Sequence, residues 1–285
     1  MQQSDEINIA VLCNALAGAG TALPMAKKIG DLLLEANVGH RIFNETWPDQ
    51  FDGFSDIFIV GGDGTLNYFI NQYRGIQLPL VLFKGGTGND FHWLLYGDQT
   101  LEAQLQLALN RAPKPIDIGK CNDRYFINGL GIGFEGAVVK ELSGKKKRPG
   151  KTSFFISILK NIFTYRSKYY TIESAERSLK GKMFLVDISN GRRAGGGFHI
   201  APEAKADDGL LDIIIADALQ PIKRLFYLPV IEKGRHLQLS FIHHYHTKQI
   251  KIECEESVPY HLDGEYGEAK TFNIQILPAE LNFRF

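Results

Sequence analysis

Ile57-Phe58-Ile59-Val60-Gly61-Gly62-Asp63-Gly64-Thr65-Leu66-Asn67 decides the reading of this chain. Four apolar residues of strand-forming type run into a glycine pair, and Leu66–Tyr73 then takes up helical spacing. Strand, glycine-rich turn and helix start together aim backbone N–H groups at an anion, a phosphate above all. Glycine lets the backbone approach without a Cβ in the way. A side chain at Gly62 or Gly64 is therefore expected to block that ligand and leave the fold largely intact. Thr65 can donate its hydroxyl or cap the helix. Asp63 sits oddly in an anion nest, because a carboxylate repels phosphate unless a cation or a hydroxyl mediates. The competing reading is a plain tight turn with Asp63 or Thr65 as helix cap.

A second glycine-rich exit weighs against the plain turn. Leu80–Phe83 leads into Lys84-Gly85-Gly86-Thr87-Gly88-Asn89-Asp90-Phe91, and the earlier strand Ile7–Cys13 leads into Asn14-Ala15-Leu16-Ala17-Gly18. Loops leaving strands of one parallel sheet gather at its carboxyl edge, where such sheets bind ligands. Neither GxxxxGK[ST] nor GxGxxG after the first strand is present, which disfavours P-loop enzymes and ordinary dinucleotide dehydrogenases. Between the strands, Ala22–Leu33, Leu66–Tyr73 and Leu101–Leu109 carry helical spacing, and Arg41–Glu45 reads as a further strand. Alternation of this kind predicts an α/β domain with a mostly parallel sheet over residues 1–115.

Ala112-Pro113-Lys114-Pro115 marks the crossover to strand-rich material. Strands are expected at Ile116–Lys120, Tyr125–Gly131, Tyr169–Glu173, Met183–Ser189, Leu211–Ala216, Leu237–Ile242, Gln249–Cys254 and Thr271–Leu277, with helices near Thr152–Arg166 and Pro221–Lys233. This pattern predicts a β-sandwich or barrel-like domain over 116–285, the return of its last strand to the first domain being left open. Lys+Arg 32 balances Asp+Glu 32, so no broad positive field exists and no nucleic-acid partner is expected. Cys13, Cys121 and Cys254 are too few and too scattered for a disulfide framework or a thiolate zinc site, which fits a reducing, cytoplasmic setting. The acidic start at Asp5 and Glu6 argues against a signal peptide, and no apolar stretch approaches membrane-span length. A soluble or peripheral protein is expected, and its oligomeric state, a homodimer included, stays open.

Four marks in order carry a resemblance over nearly the whole chain: Gly61–Thr65 with Leu66-Asn67, Gly86–Phe91, Ala201-Pro202-Glu203-Ala204-Lys205-Ala206-Asp207-Asp208-Gly209-Leu210-Leu211-Asp212, and Leu262-Asp263-Gly264-Glu265. The chain resembles the diacylglycerol kinase catalytic-domain family in its bacterial lipid kinase branch, related to sphingosine and ceramide kinases. The resemblance implies an N-terminal domain like those of NAD kinase and phosphofructokinase, a C-terminal β-sandwich, and a site between them. It implies ATP as donor, Mg2+, and a lipid hydroxyl as acceptor, diacylglycerol foremost. Asn14, Gly61, Gly62, Gly64, Thr65 and Thr87 would line the nucleotide phosphates, and Asp63 and Asn89 would orient metal or substrate. Asp263 would accept the lipid proton with Glu265 as partner, and Asp207, Asp208 and the Leu210 carbonyl would hold a structural magnesium. Ala15 and Lys84 depart from the family's prolines. An NAD kinase-like enzyme, or a lipid- or nucleotide-binding module without turnover, remains as an alternative.

Each of these residues has a plainer reading. Asp207-Asp208-Gly209 can be an acidic turn, and Asp263-Gly264 is itself a hairpin signal. His243, His244 and His246 suggest a metal, but in a strand only His244 and His246 share a face and no carboxylate lies nearby in sequence, so an exposed polar strand is expected. Lys145–Lys151, just before Phe154 and Phe155, is either a solvated loop or a contact with anionic lipid.

Overall fold

The computed structural model describes residues 7–143 and 151–285. They form two compact units, Met1–Ile116 with Ala279–Phe285, and Asp117–Pro278.

In the first unit, β1 (Asn8–Cys13) pairs in parallel with β2 (Gly39–Phe43) and β3 (Asp56–Gly61), and β3 pairs in parallel with β4 (Leu80–Lys84). Ile9–Cys13 and Ile57–Val60 are almost wholly buried, as near-continuous apolar strands must be when helices cover both faces. The helices are α1 (Ala22–Glu35), α2 (Asp63–Gln72), α3 (Asp90–Tyr96) and α4 (Leu101–Asn110). α1 buries Ala22, Ala26, Ile29 and Leu33, one stripe at helical spacing. α3 was not expected from sequence.

Residues from the far end of the chain complete this unit. Phe283 lies beside Leu80 in parallel register, and the Arg284 amide donates to the Leu80 carbonyl. The Arg284 Nε donates to Asp56 Oδ1 at 2.6 Å, and its Nη1 donates to the Arg111 carbonyl. Asp56 is 4% exposed. Arg284→Ala therefore strands a buried carboxylate at the foot of β3, an expected loss of about 3 kcal/mol. Chemical denaturation checks this, and a change below about 0.5 kcal/mol would make the pair dispensable.

The second unit is built on antiparallel strands: β5 (Lys114–Cys121), β6 (Arg124–Phe126), β7 (Gly129–Gly133), β8 (Lys168–Ser174), β9 (Ser178–Ser189), β10 (Leu211–Asp217), β11 (Ile242–Thr247), β12 (Gln249–Leu262) and β13 (Glu265–Phe283), the start of β5 up to Ile116 and the end of β13 from Ala279 belonging to the first unit. Long strands serve two layers. β9 pairs with β8 through Ser178–Met183 and with β7 through Leu185–Ser189, while β12 pairs with β8 through Ile250–Cys254 and with β7 through Tyr260–Leu262. The result is a sandwich-like domain whose interior holds Phe126, Tyr170, Ile172, Val186, Ile213, Ile252 and Phe272. α5 (Phe134–Leu142), α6 (Lys151–Thr164) and α7 (Pro221–Glu232) accompany it; Phe134, Val138, Ile158, Ile162, Phe184 and Leu185 form a second apolar cluster.

Two expectations are corrected. Leu237–Ile242 is not a strand: its residues turn, and strand structure begins at Ile242 and runs through the histidines, where β11 pairs with β10. Tyr125–Gly131 is not continuous but is broken between β6 and β7. α5 was missed altogether. Of the basic run 145–151, residues 145–150 lie outside the described residues.

Candidate active site

In the first unit the loops leaving β1, β3 and β4 meet through their backbones. The Gly85 amide donates to the Gly61 carbonyl. A Cβ on Gly62 would stand 2.8 Å from the Gly86 Cα, and one on Gly86 would stand 2.3 Å from the Gly62 Cα. Gly18, with φ +58°, brings the first loop against the Gly85 carbonyl. These glycines are thus required by loop-on-loop packing, and the expectation that a side chain at Gly62 spares the fold is overturned.

Asp63 opens α2, yet its carboxylate turns toward α3. Oδ2 accepts from the Asp90 amide at 3.1 Å and Oδ1 from the Phe91 amide at 3.0 Å. Burial pushes its pKa up, and hydrogen bonds from the Phe91 and Asp90 amides act against that. The acid that sits oddly in an anion nest therefore caps the neighbouring helix. At the start of α2, Gly62, its N-cap, offers the first-turn amides no side chain, and the Thr65 amide donates to the Gly62 carbonyl. Asn14 Nδ2 donates to Thr65 Oγ1 at 3.2 Å, tying the loop after β1 to the first turn of α2. Asn89, at φ 55°, closes its own loop: Oδ1 accepts from the Gly86 amide and Nδ2 donates to the Gly86 carbonyl. Thr87 is exposed at the tip of that loop, and Gly64 lies in the first turn of α2. Helix start, glycine backbone and hydroxyls suit phosphate oxygens.

In the second unit, Asp263 lies in the β12–β13 turn at φ 48° and is 9% exposed. Its Oδ2 accepts from the Ile127 amide, and its Oδ1 accepts from the Asn128 and Gly129 amides, all at 2.9 Å. This is an anchored carboxylate, tying the hairpin to the β6–β7 junction. Glu265, two residues on at the start of β13, is exposed.

The Asp207–Leu210 turn is shaped by hydrogen bonds. Leu210 N donates to Asp208 Oδ1 at 3.1 Å, and Gly209 N donates to Asp117 Oδ2 at 2.7 Å. Burial, and more weakly the charge of Asp212, push the Asp208 pKa up. Asp207, Asp208 and the Leu210 carbonyl offer oxygen donors only, the chemistry that suits magnesium.

Sequence reading missed a buried polar row on this sheet. His261 Nε2 and Glu135 Oε2 are 3.2 Å apart, and Ser189 donates to Asp187 Oδ1 at 2.6 Å. At Gly131 a Cβ would collide with both Glu135 and His261. Burial first, and then the Glu135 charge, raise the Asp187 pKa well above the usual carboxylate range. The folded state thus holds a proton that the unfolded chain releases, so this contribution to stability is present in acid and lost as pH rises through the folded pKa. Asp187→Asn, which keeps the acceptor for Ser189, is expected to flatten the decline of melting temperature as pH rises above the ordinary carboxylate range. Parallel profiles for the two proteins would show that Asp187 carries no bound proton. His261 borders the Leu262–Glu265 mark, but Glu135 and Asp187 have no local signature.

Within the first unit, the apposed glycine loops at the carboxyl ends of β1, β3 and β4 have the form of a phosphate-binding site. The diacylglycerol kinase catalytic domain matches residues 8–121, and the YegS C-terminal NAD kinase beta sandwich-like domain matches residues 129–284. The chain belongs to the diacylglycerol kinase family, among its YegS-like lipid kinases, and is an enzyme of the kinase class. It is 32% identical over 228 residues to the probable lipid kinase YegS-like of Klebsiella pneumoniae (strain 342), covering 79% of this chain and 75% of that one. It is 27% identical over 292 residues to the diacylglycerol kinase of Mycobacterium tuberculosis (strain ATCC 25618 / H37Rv), covering 96% and 93%. A solved structure from Bacillus anthracis str. Sterne aligns with a TM-score of 0.79 at 26% identity over 98% of this chain and 95% of that one.

Proposed function

We propose that the protein transfers a phosphoryl group from ATP to a lipid hydroxyl, diacylglycerol becoming phosphatidic acid. The observation that carries this reading is the start of α2: amides without a capping side chain, beside Asn14 and Thr65, with the Asp63 carboxylate drawn away onto α3. Phosphoryl transfer needs positioning and charge stabilisation more than covalent help from the protein. In this reading the backbone at Gly61, Gly62 and Gly64, with the Asn14, Thr65 and Thr87 side chains, binds the phosphates. Asp63 and Asn89 hold the loops in register. Asp263 fixes the hairpin, and Glu265 takes the acceptor proton at its exposed carboxylate. Mg2+, when bound, neutralises phosphate charge and steadies the Asp207–Leu210 turn.

Reaching a lipid requires a membrane-facing surface. Phe155, Ile156 and Phe163 on α6 and Ile222, Leu225 and Phe226 on α7 are exposed apolar side chains, Phe226 73% so. They support peripheral contact with the bilayer. Among the described residues no helix is long and apolar enough to cross a membrane.

Transfer of radiolabel from ATP is the test, with diacylglycerol in mixed micelles, a panel of other lipid alcohols, and NAD as acceptors. Label on diacylglycerol is expected. Label on NAD alone makes the protein an NAD kinase, and label on nothing makes it a binding module. Asp208→Ala is further expected to abolish a magnesium-dependent rise in melting temperature measured without nucleotide. Absence of that rise in the wild type removes the structural ion.

A further inference from the structure

We propose that Asp212, His244 and His246 form a binding site for a divalent cation of the zinc class, distinct from the oxygen-only turn at Asp207–Leu210. His244 and His246 alternate with Tyr245 on β11 and so share one face, and β11 places Asp212 of β10 directly opposite His246. The donor atoms converge. His244 Nε2 lies 3.1 Å, and His246 Nε2 3.2 Å, from the same Asp212 oxygen, and all three atoms lie within 4.8 Å of one another. Donors around a tetrahedral zinc with bonds of about 2.0–2.1 Å stand about 3.3–3.4 Å apart, so little movement separates this arrangement from a coordinated one. His243, on the opposite face, pairs instead with Asp217.

Without a cation, the two Nε2 atoms face a single carboxylate oxygen. With one, each imidazole carries its proton on Nδ1 and turns a lone pair at Nε2 toward the metal, and water completes the shell. Asp212 brings a carboxylate to the two rings, the anionic donor that a divalent cation favours. Access is open on one side, the His246 side chain being 40% exposed while that of Asp212 is 2% exposed. Two imidazoles with one carboxylate suit zinc, cobalt or nickel, whereas magnesium takes oxygen ligands and keeps its water. A bound ion would clamp β11, the last strand in the sheet order, onto β10.

The experiment uses the full chain, stripped with chelator and titrated calorimetrically with zinc chloride in the absence of nucleotide, with cobalt absorption as a second readout of tetrahedral coordination. One equivalent of zinc is expected, insensitive to millimolar magnesium. His244→Gln and His246→Gln are each expected to weaken that binding 100-fold or more, while Asp208→Ala leaves it within about threefold. His246→Gln changes a half-exposed side chain, so its fold is expected to survive, and circular dichroism of the metal-free protein checks this. Undiminished zinc binding in the folded His246→Gln protein overturns the proposal. So does zinc binding that disappears with Asp208→Ala and persists in both histidine variants, because the ion would then sit on the acidic turn. Neither result touches the kinase reading, which the transfer assay decides.

Discussion

Asp263→Asn is expected to cost both stability and turnover, whereas Glu265→Gln is expected to cost turnover alone. Asparagine keeps one acceptor oxygen, enough for the Asn128 and Gly129 amides, but turns an NH2 group toward the Ile127 amide, which now meets a donor in place of Oδ2. Loss of a hydrogen bond to a charged, buried group costs about 2–3 kcal/mol. At roughly 2–4 °C per kcal/mol for a unit of this size, the melting temperature should fall by about 5–10 °C. Turnover should fall about 100-fold or more as the hairpin loses its setting, in line with misplacement at a reacting centre. Glu265→Gln should lower turnover by about the same factor at unchanged melting temperature and ATP affinity, as loss of a general base does. Steady-state kinetics and thermal melts on both variants decide the roles. An Asp263→Asn protein with wild-type stability and lost turnover, beside a fully active Glu265→Gln protein, would give the proton to Asp263, the assignment implied by the family resemblance.

Gly62→Val is expected to be the most damaging single change in the first unit. Its Cβ alone would enter the Gly86 backbone at 2.8 Å, and backbone, unlike a flexible side chain, cannot swing aside. The two loops must part, which strains the Asp63 cap on α3. Affinity for an ATP analogue should fall more than 100-fold, together with a loss of stability on the order of 3 kcal/mol or more. Thr65→Val is the counterpart: it keeps the shape and removes only the hydroxyl that Asn14 touches, so a modest loss of affinity in a stable protein is expected. Calorimetric titration and melts on both variants separate the effects. A stable Gly62→Val protein that merely fails to bind would return this glycine to the role of ligand contact.

What was legible followed from physics that acts locally. Buried strands such as Ile57–Val60 announce themselves as apolar runs, and the glycine loops stand at their ends. α3 was hidden because its cap comes from Asp63, 27 residues before Asp90, and nothing in Asp90–Tyr96 reveals that help. β11 was misplaced because Leu237–Ile242 carries the apolar residues while Ile242–Thr247 carries three histidines. An edge position in the sheet tolerates polar side chains, and pairing with the buried β10 sets the strand there. The same cause concealed Asp212 from the histidines: the shared face of His244 and His246 follows from strand periodicity, but a partner on the next strand does not. Asp63 and Asp263 were singled out by type and place, yet their engagement with backbone amides is a tertiary fact.

The discontinuity of the first unit has a consequence for how the chain is made. β4 has β3 on one side only, and Asp56 lacks its partner, until Phe283 and Arg284 have left the ribosome. Every residue of Asp117–Pro278 is synthesised before that moment. The first unit, although it begins before the second, is therefore finished after it, and until then it waits as an open-edged intermediate of the kind that chaperones shield.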